Sequence, residues 1–286
     1  MTATTQADVT EPAMAAGTMT AAWLDTHRHF LIDLDGTLMR EGVPLAGAAR
    51  MLERLRGRHV VVSNNSTDTA ETLAGRLRAA GMSVAADIMV LAGQATVDLV
   101  ARLHAGKRIL MIGSAVLRAY AAARGCVLVE DGAEVVLLAL DQDFRYATLR
   151  AAVNAVRRGA PMIVSNPDTS HPGADGGLVP EIGTLMHAIV ECAGVAPALV
   201  VGKPEPALFV EGLRRLGARA ADTLVIGDNP LTDALGAARL GMHCLLVGAH
   251  PRADAATPEA LMQLRHAGHA HFAAQTYGRV DAFSIA

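Results

Sequence analysis

The stretch His29-Phe30-Leu31-Ile32-Asp33-Leu34-Asp35-Gly36-Thr37 decides how the rest of the chain is read. Its apolar run over 30–32 predicts a buried parallel strand, and Gly36-Thr37 predicts the turn that ends it. A period of two puts Asp33 and Asp35 on one side of that strand end. Carboxylates held so close repel and perturb each other's proton affinity unless a cation or a shared proton relieves them. That arrangement points to chemistry. The alternative makes Asp35-Gly36 a turn dipeptide and Asp33 a cap.

The chain around this stretch is 286 residues long, enough for one large domain or two modest ones. With 51% hydrophobic and 19% charged residues it is globular in composition. A net charge of -3 without blocks of like charge gives no electrostatic footprint for nucleic acid. Cys126, Cys192 and Cys244 are odd in number and far apart. They suggest neither a disulfide framework nor a zinc site, and a reducing cytoplasm is expected. Residues 1–22 are small and polar, carry Asp8 and Glu11 and have no Lys or Arg, which predicts a disordered tail rather than a signal or transit peptide. No uninterrupted apolar run is long enough to span a bilayer, so no membrane partner is expected.

Beyond the first strand, a helix over 46–56 and an apolar strand over 59–62, ending in Ser63-Asn64-Asn65-Ser66, read as a parallel βαβ unit. Helices are expected over 67–80 and 88–103. From residue 108 a second α/β unit starts, with strands over 109–112, 127–129, 135–140 and 162–164 and helices up to 124 and over 144–158. The Gly/Pro-rich segment 172–180 looks like its exit. Then follow a strand over 199–201, a helix over 206–216, a strand over 224–226, a helix over 231–240, a strand over 244–247 and a last helix over 258–266. The division expected is a tail over 1–22, a core domain over 23–85 and 183–286, and a smaller α/β domain inserted over 86–182.

Four strands, those ending near Asp33, Ser63, Val201 and Ile226, are expected to present polar residues at their C-terminal ends, where open parallel sheets hold their ligands. The groups delivered are the carboxylates of Asp33, Asp35, Asp228 and Asp233, the hydroxyl of Ser63, the amide of Asn64 and the ammonium of Lys203. Lys203 is one of only two lysines, the other being Lys107, in a chain that otherwise writes positive charge as Arg. Several oxygen ligands suit a hard cation such as Mg²⁺, which binds through a few carboxylates plus substrate phosphate. With the charge shared by the cation, Lys203 and a hydroxyl, one aspartate can attack phosphorus to form an acyl phosphate. Its neighbour can protonate the leaving oxygen and later activate water.

These residues resemble the haloacid dehalogenase-like (HAD) hydrolase superfamily. Asp33-Leu34-Asp35-Gly36-Thr37 is similar to its first motif and Ser63 to its second. Lys203 in Gly-Lys-Pro is similar to the third, and Gly227-Asp228-Asn229-Pro230-Leu231-Thr232-Asp233 to the fourth, all in family order. The resemblance implies a doubly wound, Rossmann-like core. It makes Asp33 the nucleophile, Asp35 the general acid/base, Ser63 a phosphate binder and Lys203 the anchor of nucleophile and phosphate. Mg²⁺ would be ligated by Asp33, Asp228 and the main-chain carbonyl of Asp35, with Asp233 and Asn229 orienting the site. The interval from Ser63 to Lys203 leaves room for a cap, the arrangement of NagD-like and 4-nitrophenylphosphatase-type members. Asn64, Asp168 and His171 would then face the substrate, and cap-mediated homodimers would be in keeping. What this implies is a Mg²⁺-dependent phosphatase of small phosphorylated metabolites. The alternatives are a phosphotransferase or mutase on the same core, and a non-catalytic phospholigand-binding regulatory protein.

Overall fold

The computed structural model describes residues 27–173, 176–249 and 251–263, so the expected tail over 1–22 lies outside the described residues. Strand β1 (His29–Ile32) leads into a short flap, β2 (Met39–Arg40) and β3 (Val43–Pro44). Next come α1 (Ala48–Arg54), β4 (His59–Ser63), α2 (Ala70–Ala79), β5 (Met89–Leu91) and α3 (Ala92–Leu103). The chain continues with β6 (Arg108–Ile112), α4 (Ala115–Ala123), β7 (Val127–Leu128), β8 (Val135–Leu138), α5 (Tyr146–Arg157) and β9 (Met162–Val164). A hairpin of β10 (Ser170–Pro172) and β11 (Leu178–Pro180) precedes α6 (Ile182–Ala193) and β12 (Leu199–Val200). The last part is α7 (Ala207–Leu216), β13 (Thr223–Gly227), a π-helical turn (Pro230–Ala234), α8 (Leu235–Arg239), β14 (His243–Leu246) and α9 (Pro258–Gln263).

The strands form two five-stranded parallel sheets, in the orders β14-β13-β1-β4-β5 and β12-β9-β8-β6-β7. Parallel strands are buried on both faces, which is why they read as continuous apolar runs rather than alternating ones. One face of the first sheet packs Phe30, Ile32, Val61 and Ile226 with Met51 and Leu55 around α1 and Leu73 and Leu77 of α2. The opposite face of the second sheet packs Leu110, Val136 and Val164 with Val153 and Val156 of α5 and Ile189 of α6. Between them lies a single cluster that belongs to both sheets. It joins Leu31, Val60 and Val225 of the first to Ile109, Val135 and Ile163 of the second, through Val97 and Val100 of α3 and Phe209 of α7.

The α/β class and the parallel core agree with the sequence reading; two local readings are corrected. Residues 88–103, expected as one helix, are a strand followed at once by a helix. The apolar run Met89-Val90-Leu91 passes into Ala92 with no turn residue between them, so periodicity alone does not divide it. The strand near Val201, expected with the core strands that end at the site, is β12, and it pairs with β9 in the second sheet. Both sides of β1 are already taken by β13 and β4. By sheet membership the chain passes from the first sheet to the second after Leu91 and back after Val200. The Gly/Pro-rich exit segment at 172–180 takes part in the antiparallel pair β10-β11, and a second antiparallel pair, β2-β3, follows β1. Among the described residues no helix is long and apolar enough to cross a membrane.

Candidate active site

Parallel register levels the strand ends that matter. Ile32 lies beside both Val61 and Ile226, and Asp33 N donates to Ile226 O at 2.8 Å. Asp33, Ser63 and Asp228 therefore emerge along one edge of the first sheet, where β1 is flanked by elements from opposite ends of the chain.

Lys203 enters this edge from the loop after β12. Its Nζ donates to Asp33 Oδ1 at 2.5 Å and to Asp233 Oδ1 at 2.7 Å, and the residue is 2% exposed. Burial lowers the ammonium's proton affinity, but the Asp233 and Asp33 carboxylates overcome that and hold it above the ordinary lysine value. Burial also raises the Asp33 carboxyl well above its usual range, with Lys203 opposing. The second oxygen of Asp33 accepts from Thr37 Oγ1 at 2.9 Å, so both oxygens of the expected nucleophile are oriented.

Local sequence explains the loop after β13. Pro230 opens the π-helical turn at a position that needs no N–H, and Asn229 Oδ1 caps it by accepting from Leu231 N at 2.9 Å. With Asn229 as the cap, Asp228 is not needed as one. The turn brings Asp233 back so that its Oδ2 accepts from Asp228 N at 3.3 Å and Asn229 N at 3.1 Å. Asp228 then packs over Gly36, which has φ 87°; a Cβ there would lie 1.9 Å from Asp228 Oδ2. Burial first, then the charge of Asp233, pushes the Asp228 carboxyl up to about 7.

Asp33, Asp228 and Asp233 each offer an oxygen within 4.8 Å of the other two. Three carboxylates thus share one ammonium, and Lys203 reaches only two of them. The donor set is oxygen only, anionic and short of positive charge, which fits a hard divalent cation. Asp35 lies on the open side. Its residue is accessible, yet the walls around it desolvate its carboxyl and raise its pKa against the charges of Lys203, Arg76 and His171.

The remaining expected residues divide. Ser63 is buried beside this edge, and its Oγ accepts from Asn65 N at 3.0 Å. The Asn64 side chain is committed to protein. Nδ2 donates to Asp168 Oδ2 at 2.9 Å and to Lys203 O at 3.0 Å, while Oδ1 accepts from Lys203 N at 2.8 Å. Asn166 Nδ2 donates to Asn64 O at 2.7 Å. Asp168 is thus fastened to the site by Asn64. His171 stands further out on β10, with Nδ1 2.7 Å from Glu181 Oε1. Residues that sequence reading missed are Thr37, Asn65, Asn166, Arg76 and Glu181 as partners of the site. Thr37 and Asn65 lay inside stretches already quoted; Asn166 reaches Asn64 O from far away in sequence, and Arg76 and Glu181 carry no local motif.

A family model described as haloacid dehalogenase-like hydrolase matches residues 30–127, and a second, HAD-hydrolase-like, matches 200–267. An acid sugar phosphatase of Staphylococcus aureus is 31% identical over 225 residues, spanning 77% of this chain and 86% of that protein. A glycerol phosphate phosphatase of Mycobacterium tuberculosis, solved in complex with magnesium, superposes with a TM-score of 0.76 at 30% identity, covering 87% of this chain and 80% of that one. NagD of E. coli K-12 superposes with a TM-score of 0.72 at 26% identity, covering 84% and 98%.

Proposed function

The chain belongs to the haloacid dehalogenase-like hydrolases, and from that premise we propose that it is a Mg²⁺-dependent phosphatase of small phosphate monoesters. The observation that carries the reading is Asp33 held between Lys203 and Thr37, with Asp228 close by and in no ion pair among the described residues. Asp33, Asp228 and the Asp35 main-chain carbonyl would hold the metal. When bound, Mg²⁺ supplies the positive charge that lets a phosphate dianion approach a carboxylate.

In this mechanism an Asp33 oxygen attacks phosphorus, the bond to the leaving oxygen breaks, and the proton of Asp35 passes to that oxygen. The raised pKa of Asp35 supports its carrying that proton. Water then attacks the aspartyl-phosphate and gives a proton to Asp35; the phosphorus–Asp33 bond breaks and phosphate leaves. Lys203 and the Ser63 hydroxyl share the charge on the transferring group. We extend the proposal to a cap between Leu91 and Val200 that places His171 on the leaving-group side, and to a cytoplasmic protein that pairs with a second copy through the cap. The three cysteines, all free, support the reducing compartment.

The test is phosphate release from a panel of small monoesters, with Mg²⁺ and again with EDTA. We expect Mg²⁺-dependent release that is lost in Asp33→Asn. Release that persists in Asp33→Asn would remove Asp33 as nucleophile. No release from a folded, Mg²⁺-binding protein would favour the non-catalytic phospholigand reading.

A further inference from the structure

Asp68 is a buried carboxylate that neither the chemistry above nor its own helix requires. It stands just ahead of α2, yet Thr69 is the cap of that helix. Thr69 Oγ1 accepts from Thr72 N at 3.3 Å, and Thr72 Oγ1 accepts from Thr69 N at 3.0 Å. Taking a carboxylate out of water is costly, so its partners show what it is kept for. Asp68 is 6% exposed. Its Oδ2 accepts from Asn65 Nδ2 at 3.1 Å, Thr67 Oγ1 at 3.3 Å and Arg76 Nη1 at 2.7 Å, and its Oδ1 from Thr72 Oγ1 at 3.4 Å. The Arg76 side chain is 62% exposed, so the balancing charge comes from the solvent side.

Asn65 carries the connection onward. Its side chain is fixed at both ends, with Nδ2 on Asp68 and Oδ1 accepting from Thr67 N at 3.2 Å and Asp68 N at 3.0 Å, which closes an Asx turn. Its main-chain O accepts from Gly93 N at 3.0 Å. The one donor left is its N–H, and that is given to Ser63 Oγ at 3.0 Å. A serine hydroxyl has one proton to donate and two lone pairs to accept with. Asn65 N fills a lone pair, so the Ser63 proton turns elsewhere, and no acceptor among the described residues takes it.

We infer that Asp68 is a positioning residue of the phosphoryl transfer: through Asn65 it holds the buried Ser63 hydroxyl as a donor to the phosphoryl group. This rests on the phosphatase reading, which supplies that group.

The experiment is a double-mutant cycle on the Mg²⁺-loaded protein. It is read as kcat with 4-nitrophenyl phosphate and glycerol 3-phosphate, and as the Kd of inorganic phosphate by titration calorimetry. Ser63→Ala should lower kcat about tenfold or more, the scale of one hydrogen bond to a charged group, and weaken phosphate binding. Asp68→Ala should lose a large part of that factor on its own. In the Ser63→Ala background, with no hydroxyl left to aim, it should cost less than about twofold. Asn65→Ala cuts the same link from its other end and should show the same coupling, so it carries the test where Asp68→Ala does not fold. Asp68→Asn retains an oxygen for Asn65 Nδ2 and should restore much of the lost kcat. Equal losses from Asp68→Ala and Asn65→Ala with and without the Ser63 hydroxyl, or no loss from either, would overturn the inference while the phosphatase stands. No phosphate release by the wild type would overturn the phosphatase reading. The same coupling in the phosphate Kd would then keep Asp68 as a positioning residue for a bound anion, and its absence would end that role as well.

Discussion

Lys203 donates to two buried carboxylates, so replacing it by methionine leaves Asp33 and Asp233 without a cation. Breaking a buried pair this way costs about 3–5 kcal/mol, because a charge is stranded rather than a bond merely lost. Protonation can relieve the stranded carboxylates, so the loss read from urea unfolding of Lys203→Met should be smaller at pH 5 than at pH 8. Asp228 supplies a second pH dependence. Its carboxyl titrates near 7 in the metal-free fold, above the unfolded value of 3.8, so the folded state binds the extra proton between those limits. Metal-free stability from this group is therefore intact at the acid end and falls as pH rises towards 7. In the proposed site Mg²⁺ would displace that proton, so its binding should tighten over the same window. The rise in Tm caused by Mg²⁺ should be larger at pH 8 than at pH 5.5; an equal rise would mean that Asp228 is not the ligand. At this scale the sequence was informative where one short stretch held all that was needed, as in Asp33 to Thr37. It placed Asn64 at the site but did not show that its amide bonds to Asp168 and Lys203, which lie far away in sequence.

Elements were legible when an apolar run was bounded by turn residues. His59 to Ser63 ends in Asn64-Asn65, and Leu224 to Ile226 ends in Gly227-Asp228; both lie close to where they were expected. β5 was not legible, because it runs straight into α3, and β12 was assigned to the wrong sheet because pairing partners are set by which edges remain open. Helix α7 shows how closely such elements then fit. A Cβ at Gly212 would lie 2.7 Å from Leu31 Cδ2 and 3.2 Å from Val62 Cγ2, both in the cluster shared by the two sheets. Gly212→Val should force α7 away from β1 and β4 and destabilise the fold by about 1–3 kcal/mol, the usual cost of overpacking. The urea midpoint should fall with an unchanged slope. An unchanged midpoint would mean that the interface is loose enough to absorb the branch.

The two sheets are joined by more than two chain crossings. The apolar cluster running from Leu31 and Val60 to Val135 and Ile163 makes them share a core, and polar contacts at the site add a clasp. Asn64 is that clasp, since it bonds at once to Asp168 beyond the second sheet and to the main chain of Lys203. A molecule held this way should keep its cap near the site without substrate, and removing the clasp should loosen the cap without unfolding either sheet. Asn64→Ala leaves Asp168 and Lys203 N without their partner, at a cost of about 1–3 kcal/mol for the buried groups. Hydrogen exchange should speed up around 166–171 and 202–203 while β1, β8 and β13 stay protected. Asn64→Asp is the sharper variant. It keeps an oxygen for Lys203 N, loses the donor to Lys203 O and faces Asp168 with a like charge, so it should loosen 166–171 more than alanine does and 202–203 less than alanine does. Equal effects of the two variants on both segments would mean that the amide holds one loop in shape rather than tying two units together.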